Sequence, residues 1–269
     1  MIFVKGAGWM CNNILQYGHF YAWGRENGRK TMSMRFAFKF QYFHICNTKY
    51  HHFLNYAIAK YAAKWGLIPT LTFNVQDADT TEQEQVMLNK KHVVVAGWEA
   101  RWYDLFVKYK SEIIDLFAFK KSVVKACQQV LAETTDGTLR LGVHIRRGDY
   151  ARWYGGKYFY NDDQFLNIIK QFLTLHPKTT VYILGNDPSL DKERYRRELN
   201  GAKVIFPCGN AAEDLYVLSE CDYLIGPPST FSLTASMYHD TPLYWILDAD
   251  KPLTEEAFGH FDYLFRHIL

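Results

Sequence analysis

Between residues 139 and 247 five short apolar runs alternate with helix-length stretches, and this alternation constrains the fold more than any other feature. The runs lie at 139–146, 179–184, 203–206, 222–225 and 242–247, with helical patterns at 161–175, 189–199, 211–220 and 230–238 between them. Continuous apolar strands need burial on both faces, and parallel neighbours need a crossover helix. The expected product is an α/β domain whose parallel sheet is covered by helices on each side. Ligands in such sheets sit outside the carboxyl ends of the strands. Segments His144–Asp149 and Pro227–Thr230 both fall at such ends and are candidates for one shared site.

The first half reads as a second α/β unit. Ile2–Lys5 is a strand, Gly6 and Gly8 turn the chain, and a helix follows over 11–28 with Gly28 as its stop. A strand is expected near 31–36 and another at 93–97. Residues 103–133 are helical with a break near 118–120, whereas 37–90 alternates aromatic and polar stretches without a traceable period. Thr134-Thr135-Asp136-Gly137-Thr138 has linker composition. The expected domains are therefore 1–135 and 136–250, with 251–269 packing back on the first.

Hydrophobic residues at 48% and aromatics at 17% supply a substantial core. Lysine and arginine number 31 against 28 aspartates and glutamates, a net +3 that is too balanced to argue for nucleic acid. Five scattered cysteines without paired spacing point to reduced thiols rather than a disulfide framework or a zinc site. Neither a leader nor an apolar run near the roughly 20 residues of a membrane span is visible. A cytoplasmic protein is expected. No basic amphipathic helix stands out, so membrane contact is expected only at the inner face and through an acceptor.

The stretch Leu141-Gly142-Val143-His144-Ile145-Arg146-Arg147-Gly148-Asp149-Tyr150 carries the densest chemistry. Adjacent arginines on a strand point to opposite faces, so they cannot share one job. One is expected to meet an anion and the other to hold the loop or a carboxylate, because a buried guanidinium needs compensation. Ser229-Thr230 opens a helix, where N–H groups can receive a phosphate or simply be capped. Asp214 begins another helix, either stabilising its N-terminus or accepting two hydrogen bonds from a guanine edge. Asp149, beside two arginines, is expected to orient them as a salt-bridge partner, with base catalysis as the alternative. The following Tyr150, Arg152, Trp153 and Tyr154 suit either stacking on sugar rings or packing between domains.

His144-Ile145-Arg146-Arg147-Gly148-Asp149-Tyr150 resembles the first signature of the α1,2-fucosyltransferases, glycosyltransferase family 11, in a clan with the α1,6- and O-fucosyltransferases. Three further segments resemble that family in order: Asn12-Asn13-Ile14-Leu15-Gln16-Tyr17; Gly97-Trp98 with the helix behind it; and Glu213-Asp214-Leu215 through Ser219-x-Cys221-Asp222-Tyr223 to Ser229-Thr230-Phe231-Ser232. The resemblance implies a GT-B type fold, two facing Rossmann-like domains with the nucleotide site on the C-terminal one. It implies inverting transfer of fucose from GDP-fucose to an oligosaccharide or glycolipid hydroxyl, in bacterial surface polysaccharide synthesis, with no metal or other cofactor. Arg146 would stabilise the β-phosphate of departing GDP, with Arg147 in support and Asp149 beside them. His144 and Asp214 would read guanine. Ser229, Thr230 and the N–H of Phe231 would contact the diphosphate, and Asn12 would reach the site from the N-terminal helix start.

The chain departs from the family at Pro228, where asparagine is usual, and at Leu233-Thr234, where two tryptophans are usual. These departures keep another GDP-sugar or linkage open. A non-catalytic nucleotide- or glycan-binding relative is a second rival, and the presence of His144, Arg146, Arg147, Asp149, Asp214 and Ser229 in one chain argues against it. Asp77-Ala78-Asp79 and Asp248-Ala249-Asp250 spell a metal-dependent motif of a different fold. His51-His52 lacks ligand spacing. Asn186-Asp187-Pro188-Ser189 is expected to shape a loop and cap a helix from Ser189.

Overall fold

A computed structural model describes residues 1–185 and 187–268, which fall into two compact units divided after Lys120. The first contains β1 (Ile2–Lys5), α1 (Met10–Glu26), β2 (Thr31–Ser33), α2 (Phe53–Lys64), β3 (Thr70–Thr72), α3 (Thr81–Asn89), β4 (Val93–Ala96), α4 (Tyr103–Lys108) and α5 (Lys110–Leu116). Its strands form a parallel sheet in the order β2-β1-β4-β3. Gly28, just past the end of α1, takes φ +64°, a left-handed stop that costs glycine little. The segment that showed no period, 37–90, contains α2, β3 and α3. No helix among the described residues is long and apolar enough to cross a membrane.

The second unit contains α6 (Lys121–Ala132), β5 (Leu139–Ile145), α7 (Asp162–Leu175), β6 (Thr179–Gly185), α8 (Lys192–Glu198), β7 (Lys203–Ile205), α9 (Ala211–Ser219), β8 (Tyr223–Gly226), α10 (Thr230–His239), β9 (Leu243–Trp245) and α11 (Phe261–Arg266). All five strands are parallel in the order β7-β6-β5-β8-β9. Leu141, Val143 and Ile145 share one core with Phe165, Ile168, Ile169 and Phe172 of α7. On the opposite face, a Cβ at Gly142 would press on Leu218 and Cys221, and His144 lies against Phe231. Helices thus cover both faces, as the alternating sequence demands.

Local chemistry sets the helix starts. Asn161 caps α7 in a reciprocal box with Gln164, and Asn210 caps α9 in the same way with Glu213. Helix α8 is capped by Asp191 and not by Ser189, so it begins later than 189. Ser189 instead gives its N–H and hydroxyl to Asp187 Oδ1, at 2.9 and 2.6 Å. Asn186 of that turn lies outside the described residues.

Two boundary expectations differ from the structure. The expected linker 134–138 is a turn fastened to the second sheet: Thr138 Oγ1 meets Thr180 Oγ1 at 2.9 Å, and Thr134 Oγ1 meets Tyr182 OH at 2.7 Å. Turns and linkers share composition, and only these contacts separate them. The division falls before α6, which packs on α9 and buries Val123 and Cys127. Residues 251–269, expected against the first domain, group with the second unit, where Gly259 bridges to Leu243 and α11 packs on α10.

Candidate functional site

The strand order places the chain reversal of the second sheet between β5 and β8. From β5 the chain moves outward through β6 and β7, then returns to the other side of β5 for β8 and β9. Crevices open at such reversals because the loops leaving the two central strands diverge. His144–Asp149 leaves β5 and Pro227–Ser229 leaves β8, so segments about eighty residues apart in sequence are neighbours here. Helices α9 and α10 begin at the same edge, which brings Asp214 and Ser229 to it.

β5 ends at Ile145, so both arginines lie past the strand on which they were expected to alternate, and they diverge in the loop instead. Arg147 turns towards the α7 side, where Nε donates to Tyr160 O at 3.1 Å, Nη1 to Asp187 at 3.1 Å and Nη2 to Asp162. Arg146 goes elsewhere, forming a two-pronged bond with Asp149 at 3.2 and 2.8 Å and lying over the Tyr150 ring at 5.2 Å. Gly148 makes this possible, because φ +37° bends the chain sharply enough to return Asp149 to Arg146. Both Asp149 oxygens are thereby taken up by the guanidinium. Tyr150 OH donates to Pro228 O, tying the two loops of the crevice together. The aromatic loop resolves mostly into core: Tyr150, Trp153 and Tyr158 pack on the α7 face, and Tyr154 stands exposed.

His144 is buried and lies against Phe231, with ring centroids 5.0 Å apart and planes tilted by 36°. Burial, reinforced by the Arg146 charge, pushes its pKa down to about 3, so the imidazole is neutral. Its Nδ1 is buried without a hydrogen-bond partner among the described residues, as is Trp245 Nε1 on β9. Between those strands lies Gly226, where a Cβ would come within 3.2 Å of His144 Cβ. Buried polar atoms left unsatisfied cost about 1–3 kcal/mol each, and their concentration at one edge marks a place suited to a ligand.

Asp214 is half-buried, and desolvation together with the neighbouring Glu213 charge raises its pKa to about 7. Ser229 caps α10, accepting from Phe231 N at 3.2 Å. That N–H, expected to point at an anion, is occupied by the cap. Thr230 is the first residue of α10. Asn12 lies apart in sequence and in the first unit, in the first turn of α1 beside Gly8.

The residue most important to the first unit's glycine turn is Asn13, which sequence reasoning did not single out. Its Nδ2 donates to the carbonyls of Ala7, Gly8 and Trp9 at 3.0, 3.3 and 2.7 Å. Gln16 accepts from Ala7 N at 3.3 Å and donates to Gly97 O. The signal was present as two amides three apart after a glycine turn. Among the described residues no three His, Cys, Asp or Glu side chains gather in a metal-holding group.

No protein-family model matches this chain, and no curated protein sequence matches it. Solved structures do. A variant of FUT1 from Arabidopsis thaliana in complex with GDP aligns with TM-score 0.65 at 13% identity, covering 96% of this chain and 73% of that one. NodZ, an α-1,6-fucosyltransferase soaked with GDP-fucose, aligns at 0.56 and 13% identity, covering 96% of this chain and 97% of its own. A second NodZ structure, from Bradyrhizobium, gives the same score over 91% and 94%. POFUT1 in complex with GDP-fucose aligns with TM-score 0.57 at 10% identity, covering 89% of this chain and 93% of that one. The chain has the parallel α/β fold of these fucosyltransferases.

Proposed function

We propose that this protein is a metal-independent, inverting glycosyltransferase that moves fucose from GDP-fucose to a hydroxyl of a glycan acceptor. The observation that carries the reading is the Arg146–Asp149 fork at the reversal point of a nucleotide-binding type of sheet, beside a neutral histidine with an unsatisfied buried nitrogen. The likeness in fold to GDP- and GDP-fucose-bound transferases supports it.

In the proposed reaction the acceptor oxygen attacks the sugar carbon as the bond to the β-phosphate oxygen breaks, and GDP leaves with the electron pair. Negative charge grows on that phosphate, and a pre-oriented guanidinium beside it lowers the barrier. Arg146 takes this role, Asp149 orients it, and Arg147 holds the loop through Asp162 and Asp187. Asp214 and His144 bind the guanine edge, while Ser229, Thr230 and the start of α10 lie along the diphosphate. The linkage we assign is α1,2, on precursors of surface polysaccharide in the cytoplasm. Pro228 and Leu233-Thr234 support a second reading, in which another GDP-sugar is the donor.

Titration calorimetry with GDP, UDP and ADP, in EDTA, at pH 6 and pH 8 tests the proposal. The N–H donors of guanine favour ionised Asp214, so binding releases a proton. Affinity for GDP is therefore lost as pH falls through about 7, and rises about tenfold between the two conditions. Asp214→Asn should weaken binding and flatten the profile. Equal binding of the three nucleotides, or an unchanged slope in the variant, would sink the guanine assignment. Product linkage with GDP-fucose and GDP-mannose then separates the two donor readings.

A further inference from the structure

Helix α2 presents an apolar stripe to water. Leu54, Ile58, Tyr61 and Trp65 recur at spacings of four, three and four. At 100° per residue they fall within an arc of about 60°. Such a stripe ordinarily marks the buried side of a helix. Here Leu54 is 63% exposed, Ile58 56%, Tyr61 45% and Trp65 68%, and Leu67 just beyond is 72% exposed. The helix is anchored by its other side, where Ala59, Tyr56 and Ala63 pack on the core of Phe3, Met32 and Val94. Isolated exposed apolar residues are ordinary; a continuous outward stripe along three turns is not.

The surrounding charge is equally one-sided. From Asn27 to Gln76 there is no aspartate or glutamate, while Arg29, Lys30, Arg35, Lys39, Lys49, Lys60 and Lys64 lie within that span. The whole chain carries only +3, so the remainder is net acidic. Lys60 and Lys64 are exposed at the margin of the stripe, and Lys60 Nζ reaches over the Tyr61 ring at 5.8 Å.

We infer that α2 and Leu67 dock this protein on an anionic lipid surface. Trp65, Tyr61, Ile58 and Leu54 would enter the boundary between headgroups and acyl chains. The lysine stems would lie along it with their ammonium groups on lipid phosphates. A second copy fits less well, because the same segment of another molecule, without Asp or Glu from Asn27 to Gln76, offers Lys60 and Lys64 no carboxylate. The inference does not depend on the reading of the catalytic site.

Flotation of the full chain with phosphatidylcholine vesicles, with and without phosphatidylglycerol, tests it. Binding should require phosphatidylglycerol and weaken in high salt. Lys60→Gln and Lys64→Gln should each reduce it about five-fold. Ile58→Ser combined with Trp65→Ser should reduce it at least about tenfold, with an unchanged circular dichroism spectrum and GDP affinity. The conservative lysine variants keep the test decisive even where the double variant folds poorly. Absence of flotation on anionic vesicles overturns the proposal, as does flotation indifferent to both sets of variants. Sedimentation showing a dimer abolished by Ile58→Ser also overturns it and assigns the stripe to a second copy.

Discussion

Both sheets are all-parallel, yet their carboxyl edges are treated in opposite ways. After β1 the chain spends its side chains on itself: Asn13 and Gln16 bond the carbonyls and N–H groups of 7–9, and Arg35 Nε donates to Gly6 O at 3.0 Å. Only Asn13 Oδ1 is left there without a partner among the described residues. After β5 the second sheet leaves His144 Nδ1 and Trp245 Nε1 unsatisfied and Asp214 half-desolvated. A self-satisfied edge has little to gain from a ligand, whereas an edge with unmet hydrogen bonds gains free energy when one arrives. The difference teaches where function lies more directly than the shared fold does.

The sharpest test of that contrast uses the adjacent arginines. Arg146→Ala should lower transfer about a thousandfold with little change in melting temperature, because its carboxylate partner among the described residues is the exposed Asp149. Initial rates and melting curves measured together would decide it; near-wild-type turnover would end the proposed mechanism. Arg147→Leu should act through stability instead. It leaves Asp162 and Asp187, mostly buried, with the hydrogen bonds of Tyr195 and Ser189 but without their cation, at a cost of about 3 kcal/mol in denaturant titration.

A smaller effect separates two histidines that burial treats alike. His51 is satisfied on both nitrogens, accepting from Ser33 N at 2.9 Å and meeting Thr48 Oγ1 at 2.6 Å. Burial, with His52 adding a little, lowers its pKa from 6.5 to about 4. Protonation is thus favoured in the unfolded chain, and the stability present above pH 6.5 is lost as pH falls towards 4, by about 3 kcal/mol at most. His51→Gln should make that acid limb shallower and leave GDP affinity untouched. A variant whose stability falls as steeply as the parent would show that other groups carry the acid response.

Much of the second unit was legible because its signals are local. Asn161 with Gln164 and Asn210 with Glu213 announce helix starts within four residues, and each apolar run names its own strand. The first unit resisted over 37–90 because β3 is only three residues long and α2 shows water the side that periodicity assigns to the core.

By itself, then, the sequence determined the parallel α/β class, most element positions and the edge at which His144–Asp149 and Pro227–Thr230 would stand. Tertiary structure alone decided that β8 returns beside β5, that Thr134–Thr138 is a turn rather than a linker, and that the α2 stripe points outward. Propensity, capping and periodicity act over a few residues. Strand adjacency and the direction of an apolar stripe depend on which distant surfaces compete for burial, and no local pattern records the outcome of that competition.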